Sequence, residues 1–522
     1  MKFKIRLSLC AILIAFGFQG WTQGFVENAL LFSRTKPSGS SRIQSMGGAQ
    51  VALGGDYSSA LSNPAGLGMY NRSEFTFSPA LNTYNTDAEH LGTKSSDSKK
   101  VFNIPGISYV RHIPTEKNGF LGGSFGASMT RVNDFNALFQ YTGKEVGSSI
   151  VDYFKERALG YAINPLPNPY DDTPLLSFDV PDGLAYNTFL INPFSEADPH
   201  PNPFTENDYL AYTRYFSDLD ARANEVRDFD RYQQVNTKGA QYQWSFAYGG
   251  NYKDKLFFGG AVGITTLRYK FESAYRESEF SFSNTPNYDS LNYLQLHEDI
   301  TIDGSGINLT LGIIYRPVNF VQVGLSFVSP TYYELSDIYS TRLIADWRND
   351  VHGGYREEFS EPLVAEYTMT TPLKFSTGVA FFLGKYGFIT GDVEFINYNK
   401  AKYDSSTPGV SFNPENDDIK YYYTNVVNYR IGFEVRYIIF RLRVGYNFQS
   451  NPYKEAFNVD RKISTLSTGV GVKLNKFFVD IAWLSSKGNS TYSPYVFQDG
   501  TGPVVSLRNK TTSGMVTIGY AF

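Results

Sequence analysis

Cysteine is almost absent from the 522-residue sequence, in which Cys10 is the only one. Because Cys10 lies in a segment that we expect to be removed, the mature chain would have no cysteine. This absence excludes a disulfide scaffold, thiolate zinc sites, iron–sulfur ligation and thiol catalysis. The five histidines show no metal-ligand spacing, so we predict neither a metal site nor a cofactor. They are His90, His112, His200, His297 and His352.

The sequence also lacks an excess of basic residues and, beyond its N-terminus, any long apolar run. Its formal net charge is -4, which provides no basic surface for nucleic acid. A membrane-spanning helix needs roughly 18 or more consecutive apolar residues, and no later segment supplies them. The chain is instead rich in aromatic residues and glycine, with 39 Tyr, 42 Phe, 4 Trp and 46 Gly. This composition favours strands and turns over helices.

A secretory signal peptide is predicted at residues 1–22. Basic residues precede an apolar stretch over 7–18, which is too short for a retained membrane helix. Gly20 and Thr22 are small enough for the positions that precede a cleavage site. We therefore expect an exported protein whose mature chain begins near Gln23.

Apolar and polar residues alternate with a period of two along most of the remaining chain. Leu466, Val470 and Leu474 share one face of their segment, for example, whereas Gly469 and Gly471 share the other. A soluble sandwich also alternates, but its polar face is seldom so rich in glycine. In a transmembrane barrel the apolar phase faces lipid and the polar phase faces the lumen. The sequence therefore predicts an all-β fold, a transmembrane antiparallel β-barrel with an N-terminal plug in its lumen.

Turn signals divide the chain into fourteen alternating segments, each of which is a predicted strand. This number is even, as in single-chain bacterial barrels. The segments are 73–81, 104–112, 118–131, 238–250, 255–272, 294–315, 319–332, 362–382, 386–399, 424–437, 438–449, 463–475, 476–487 and 512–522. Short links such as 384–386 are predicted to be periplasmic, and longer ones such as 450–462 and 488–511 extracellular.

The last predicted strand ends in an aromatic residue. Val516, Ile518, Tyr520 and the terminal Phe522 lie in one phase. This arrangement resembles the signal that the barrel-assembly machinery of the outer membrane reads, and the alternative is a strand that merely ends on Phe. Together with the signal peptide and the lack of cysteine, it favours an outer-membrane barrel that meets this machinery through Phe522.

Residues 23–72 differ in composition from the predicted strands. They are rich in glycine and small side chains and show no sustained alternation. Asp56 is expected to cap a short helix over 57–61, which Asn63 and Pro64 would end. Since small side chains let a backbone pack closely against the inner wall of a barrel, we expect this segment to be the folded plug.

The sequence resembles the FadL-type outer-membrane transporters for long-chain fatty acids and aromatic hydrocarbons. The likeness rests on the signal peptide, on the run SRIQSMGGAQVALGGDYSSALSNPAGLG and on a fourteen-strand pattern that ends in Phe. In that family the N-terminal segment is a hatch that plugs the barrel, and the Asn-Pro-Ala match falls inside it. The resemblance therefore implies a ligand or gating role for hatch residues, namely Gly47, Gly48, Asn63, Pro64 and Ala65.

The region 132–237, within the barrel domain of 73–522, departs from the pattern of this family. A connection of this length is either functional or disordered, and a polar helix-like stretch is predicted within it at 206–235. Two interpretations stay open, a packed cap that first captures an apolar ligand and a surface decoration that shields the barrel rim. The aromatic residues on which the cap would depend are Phe178, Phe189, Phe194 and Phe204.

Charged residues occupy the inner phase of neighbouring predicted strands, where acids and bases can pair across the ladder. They either hold a fatty-acid carboxylate or anchor the hatch, or they are the polar lining that such barrels carry. These residues are Asp392, Glu394, Arg430, Glu434, Arg436, Arg441 and Arg443.

Taken with the resemblance, these features predict an outer-membrane channel for passive uptake of hydrophobic small molecules such as long-chain fatty acids. Its binding free energy would come from apolar burial, at about 25 cal/mol per Å², and from a few polar groups. We expect a monomer surrounded by outer-membrane lipid and lipopolysaccharide, without nucleic acid. No residues identify a catalytic site, so no enzyme is predicted. The alternatives are a FadL-like barrel that docks a partner in protein secretion or surface attachment, and an outer-membrane lipid hydrolase.

Overall fold

The computed structural model describes residues 19–147, 149–161, 176–193, 209–211, 226–282, 291–348, 354–457 and 459–522. Residues 1–18 of the predicted signal peptide lie outside these ranges. No helix in the described ranges is long and apolar enough to cross a bilayer.

Fourteen strands form a closed antiparallel barrel, in which each strand pairs with the next one in sequence and β1 pairs with β14. The strands are β1 Glu74–His90, β2 Thr93–Lys117, β3 Phe120–Asp134 with Ala137–Glu145, β4 Val226–Tyr252, β5 Leu256–Phe282, β6 Leu291–Val318, β7 Val321–Val328 with Tyr332–Trp347, β8 Tyr355–Phe359 with Leu363–Thr370 and Lys374–Phe382, β9 Gly387–Asn397 with Lys402–Asp404, β10 Asn425–Tyr437, β11 Phe440–Gln449, β12 Ile463–Lys473, β13 Phe477–Tyr492 and β14 Val505–Ala521. Beside the closing seam, the Phe522 N–H donates to the Ser73 carbonyl at 2.9 Å.

The predicted antiparallel barrel is confirmed, and every predicted strand corresponds to one of these fourteen. Several strands run farther than the alternation indicated. β1 continues to His90, and β2 starts at Thr93 after a tight turn in which Leu91 and Gly92 have positive φ. The first residues of β2 read TKSSDSKK, so they have no apolar phase by which the sequence could reveal a strand.

Large apolar side chains form an exposed band around the outside of the barrel. On β12, Val470 is 47% exposed and Leu466 is 49% exposed. Gly471, on the opposite phase, is buried against side chains of the lumen. The lipid-facing phase of this strand therefore agrees with the predicted one.

Helices are few and short. In the described residues they are α1 Gln19–Ser33, α2 Ser41–Gln44, α3 Ser59–Ser62, α4 Ile150–Ala158, α5 Pro181–Asn187 and α6 Asn413–Tyr422, together with 3₁₀ helices at Pro64–Met69, Tyr398–Lys400 and Glu455–Phe457. The strand connections are short at one end of the barrel, called the short-turn end below, and mostly long at the other, called the long-loop end.

The insertion is smaller than the sequence indicated. β3 continues to Glu145 and β4 begins at Val226, so both edges of the 132–237 region belong to the barrel wall. The predicted helix-like stretch at 206–235 is wrong at Tyr209–Ala211, a short strand that pairs with Ile191–Pro193, and again from residue 226 onward. Its polar composition has another cause, because this part of β4 carries polar side chains on its outer face and a buried Arg231 on its inner face.

The described part of the insertion packs as a cap on the long-loop end. α4 and α5 share an apolar core with the upper parts of β5, β6 and β7. The α4 N-terminus carries a capping box between Ser149 and Asp152, which satisfies backbone N–H groups of its first turn. Phe189 packs against this core, whereas Phe178 is 43% exposed. Phe194 and Phe204 lie outside the described residues.

Candidate functional site

The segment 23–72, called the hatch below after its predicted role, begins inside α1 and contains α2, α3 and the 3₁₀ helix. The predicted helix over 57–61 is observed one to two residues later, at Ser59–Ser62. Asp56 caps the turn that leads into this helix, because its carboxylate accepts from the Ser58 backbone N–H at 3.0 Å. Its carboxylate accepts hydrogen bonds from the hydroxyls of Ser40 and Ser58, both at 2.6 Å. Because Ser40 is the N-cap of α2, Asp56 joins the two short helices to each other.

Lumen-facing glycines let the hatch backbone approach the barrel wall. Seven of the glycines at which a side chain would overlap with hatch atoms lie on β4–β7 and β10–β12. Those on β10 and β11, for example, face Met46. This set, called the glycine ring below, explains why the inner phase of the strands is rich in glycine. Its members are Gly249, Gly259, Gly312, Gly324, Gly432, Gly445 and Gly469.

Asp392 provides a polar contact for the hatch on β9, between the two arcs of the glycine ring. Its carboxylate accepts from the backbone N–H groups of Gln50 at 2.6 Å and Val51 at 3.0 Å. The side chain is only 3% exposed, so these two donors replace water as its partners. Asp392 thus contacts the backbone of the hatch directly.

The Asn-Pro-Ala motif lies against the wall where β6 and β7 meet. The Asn63 amide donates to Val51 O at 2.6 Å, Leu325 O at 3.2 Å and Ile313 O at 3.3 Å. Its side-chain oxygen accepts from the Ala65 N–H at 3.2 Å. Asn63 therefore connects two parts of the hatch with two neighbouring strands.

The other hatch residues named from the sequence also contact their surroundings closely. The Gly47 N–H donates to the Ser467 hydroxyl of β12 at 2.9 Å. Both Gly47 and Gly48 have positive φ, 69° and 78°, a backbone conformation that favours glycine. Pro64 is the first residue of the 3₁₀ helix, and Ala65 is fully buried.

Four of the predicted lumen charges form two ion-pair clusters, and a fifth joins one of them. Glu394 pairs with Arg430 at 2.7 Å. Glu434 pairs with Arg443 at 2.7 Å and with Arg436 at 2.6 Å. Most of these charges are therefore already partnered within the protein.

Two further charges complete the Glu434 cluster, and one of them, Asp480, was not predicted as a site residue. Arg42 of the hatch lies 3.8 Å from Glu434, and Asp480 of β13 pairs with Arg443 at 2.5 Å. Only strand register, which was not known, could have identified Asp480. Arg441 does not take part, because its guanidinium donates to the Ile438 and Phe440 carbonyls at the short-turn end.

A cavity of about 340 Å³ remains between the hatch and the wall formed by β1–β3 and β11–β14. Polar side chains such as Arg34, Asn82, Asn103 and Gln449 line it. Lys36 borders this cavity and a smaller one of about 100 Å³ on the other side of the hatch. Burial inside the barrel lowers the pKa of Lys36. The hatch thus leaves open space on both sides of residues 36–38.

Aromatic side chains enclose α1 in the half of the lumen nearer the long-loop end. The Phe25 ring lies 5.4 Å from that of Tyr367 and 5.3 Å from those of Tyr403 and Phe412, edge to face in each case. The Tyr423 hydroxyl donates to the Val26 carbonyl at 2.9 Å. The rings of Tyr367, Tyr403 and Phe412, called the aromatic cage below, thus surround the Phe25 side chain.

The fold is similar to that of solved FadL-type transporters. The toluene transporter TodX of Pseudomonas putida has a TM-score of 0.51 at 12% identity, over 93% of this chain and 99% of TodX. A Pseudomonas aeruginosa FadL homologue has a TM-score of 0.51 at 11% identity, over 94% of this chain and 99% of that one. No family model and no curated protein matches the sequence. The resemblance inferred from the sequence is therefore confirmed for the fold.

Proposed function

We propose that the protein is an outer-membrane channel for passive uptake of hydrophobic small molecules, and not an enzyme. The observation that carries this proposal is the aromatic cage, which lies inside the barrel on the long-loop side and accommodates an apolar ring. The solved barrels of the same fold, which include a toluene transporter, support it. Long-chain fatty acids and monoaromatic compounds are the substrate classes to test first.

In the proposed route, a ligand enters from the long-loop end and takes the place of Phe25 in the aromatic cage. Apolar burial would supply the binding free energy, at about 25 cal/mol per Å². The hatch, as the plug of the lumen, then has to move for the ligand to pass. The hatch packs closely against the wall around the glycine ring, and such packing resists gradual deformation. We therefore expect the hatch to move only a short distance.

The direct test is uptake of radiolabelled dodecanoate and toluene by bacteria that produce the protein, compared with bacteria that lack it. We expect faster uptake of at least one of the two and no change for a hydrophilic solute of similar size. If bacteria with and without the protein take up both hydrophobic compounds at the same rates, although the barrel is correctly assembled, the proposal is rejected. Three further features belong to the same proposal. Intact mass checks signal cleavage near Gln23, heat-modified gel mobility checks assembly through Phe522, and native mass checks the monomeric state.

The partner-docking alternative is favoured by one observation, the folded cap. α4 and α5 pack on an apolar core that they share with β5, β6 and β7 at the long-loop end, which gives that end a defined surface. If the cap docks a secreted protein, that protein should copurify with the full chain and should be lost when the loop 146–225 is shortened. Unchanged hydrophobic uptake by the shortened barrel would then assign transport and docking to separate parts of the molecule.

A further inference from the structure

The apolar band has a well-defined upper edge where β13, β14, β1 and β2 lie side by side. Trp483 and Leu81 both face Gly514 across the ladder, and Leu81 faces Phe102. The three large side chains are 46%, 53% and 68% exposed. Beyond this row, toward the long-loop end, the outward residues of the same strands are polar.

Two lysines face each other beyond that edge, with one outward row, Ser485 and Thr512, in between. Lys487 of β13 and Lys510 of β14 are register partners, and both side chains are exposed on the outer wall. Arg508 is the next outward residue on β14, and Lys100 is the first outward residue beyond Phe102 on β2. We call these four cations the basic patch. Like charges directly opposite each other destabilise a sheet, so this arrangement calls for an anion.

Elsewhere on the wall, the chain supplies that anion itself. Lys238 and Lys270 are also register partners on β4 and β5, but Glu272 lies 2.7 Å from the Lys238 ammonium group. Arg436, which faces Arg441, has Glu434 at 2.6 Å.

The basic patch has no such partner. Among the described residues, no carboxylate lies within 4.0 Å of Lys487, Lys510, Lys100 or Arg508. Asp87 is the register partner of Arg508, but it accepts a hydrogen bond from Ser96 instead. The unpaired lysines thus differ from their counterparts on β4 and β5 in lacking a protein anion.

We propose that the basic patch binds a phosphate group of lipopolysaccharide in the outer leaflet. The inference rests on the proposed outer-membrane location, in which the long-loop end faces outward. The row of Trp483, Leu81 and Phe102 would contact the acyl chains, and the lysines beyond it would meet the phosphates of the lipid. Lysine binds phosphate as a compact point charge. An amphiphile with its phosphate directly above its acyl chains fits this order of residues.

The test is native mass spectrometry of the full barrel, purified in mild detergent and titrated with phosphorylated lipid A, dephosphorylated lipid A and phosphatidylglycerol. Wild type is compared with Lys487→Gln/Lys510→Gln and with the matched control Lys238→Gln/Lys270→Gln. We expect phosphorylated lipid A to bind the first variant about tenfold more weakly or worse, since one hydrogen bond to an ionised group contributes that much. The control should bind like wild type.

Three results would overturn the proposal. One is equal affinity of the wild type and the Lys487→Gln/Lys510→Gln variant for phosphorylated lipid A, provided that boiling changes the gel mobility of both, as expected of an assembled barrel. Another is equal binding of dephosphorylated lipid A. The third is equally tight binding of phosphatidylglycerol, which would assign the patch to acidic phospholipid. Because lipid binding is measured in detergent, a failure of hydrophobic uptake in cells would reject the transport function without affecting this result.

Discussion

The Asn63 amide of the hatch donates to the Leu325 carbonyl of β7 at 3.2 Å. The same amide reaches the adjacent strand through the Ile313 carbonyl. A single side chain therefore connects the hatch with the backbone of two neighbouring strands, at a point where Gly312 leaves room for it and Gly324 leaves room for the backbone of Val51.

Asn63→Ala and Pro64→Ala should lower uptake of a hydrophobic substrate without raising the ion conductance of the barrel in planar bilayers. Asn63→Ala removes the link to β6 and β7 and the donor to the buried Val51 carbonyl, at about 1–3 kcal/mol. The Asp392 contacts and the glycine ring would still hold the hatch in the lumen. Asn489→Ala, on the outer wall, is the control. Normal uptake in both hatch variants would contradict the gating role.

Gly445→Leu should displace the hatch and raise ion conductance in planar bilayers. A side chain at this position would overlap with the backbone of Met46 and Gly47, and packed backbone cannot yield as a flexible side chain can. Gly514→Leu is the matched control, because nothing lies within 4 Å of the position of its Cβ. If the two variants conduct equally, the hatch does not depend on the glycine ring.

Val470→Arg should impair barrel assembly much more than Ser464→Arg on the same strand and the same phase. Val470 lies in the apolar band, where a charge costs about 2–4 kcal/mol at the bilayer midplane, and Ser464 lies beyond Leu466, where the cost falls to about 0–1 kcal/mol. The fraction of heat-modifiable protein after refolding into vesicles measures the difference. Gly471→Arg is a poor contrast, since its side chain would meet Arg443. Equal assembly of the two variants would refute the assigned depth.

Glu434→Gln should destabilise the barrel by about 1–3 kcal/mol, because the nearly buried Arg443 loses one of its two carboxylate partners and keeps Asp480. Glu357→Gln, which removes the partner of the more exposed Arg342, should cost only about 0–1 kcal/mol. The denaturant dependence of unfolding in detergent compares the two. A larger effect for Glu357→Gln would show that the lumen cluster contributes little to stability.

Phe25→Ala should strengthen binding of an aromatic ligand about three- to tenfold, because the ligand no longer competes with the Phe25 ring for the aromatic cage. Tyrosine fluorescence quenching by the ligand gives the apparent Kd. Phe32→Ala, elsewhere on α1, serves as the control. Weaker binding by Phe25→Ala would mean that Phe25 contributes to the site instead of blocking it.

The strand order and the lipid-facing phase could be predicted from the sequence, because lipid requires an apolar side chain at every second position. The strand ends beyond the band could not, since residues such as those of TKSSDSKK face water and carry no such pattern. The same holds for β4, whose upper part has polar side chains on both faces and therefore reads as a polar helix.

The candidate site was only partly predictable. Asn63 stood out through its motif, but its bonds to β6 and β7 depend on where the hatch sits. Asp480 and Arg42 join Glu434 through register and hatch position, neither of which local spacing encodes. Arg441 shares the inward phase with Arg443 but lies at the end of its strand, where turn carbonyls are nearer than the lumen carboxylates.

The pairing of β1 with β14 also imposes an order on biogenesis. The hatch is made first and leads directly into β1, yet most of its wall contacts are with strands that emerge later. β14 must be in place before the barrel can close by pairing with β1. The nascent N-terminal segment therefore has to be enclosed by a growing, still open sheet, and once the seam forms it is topologically trapped inside the cylinder.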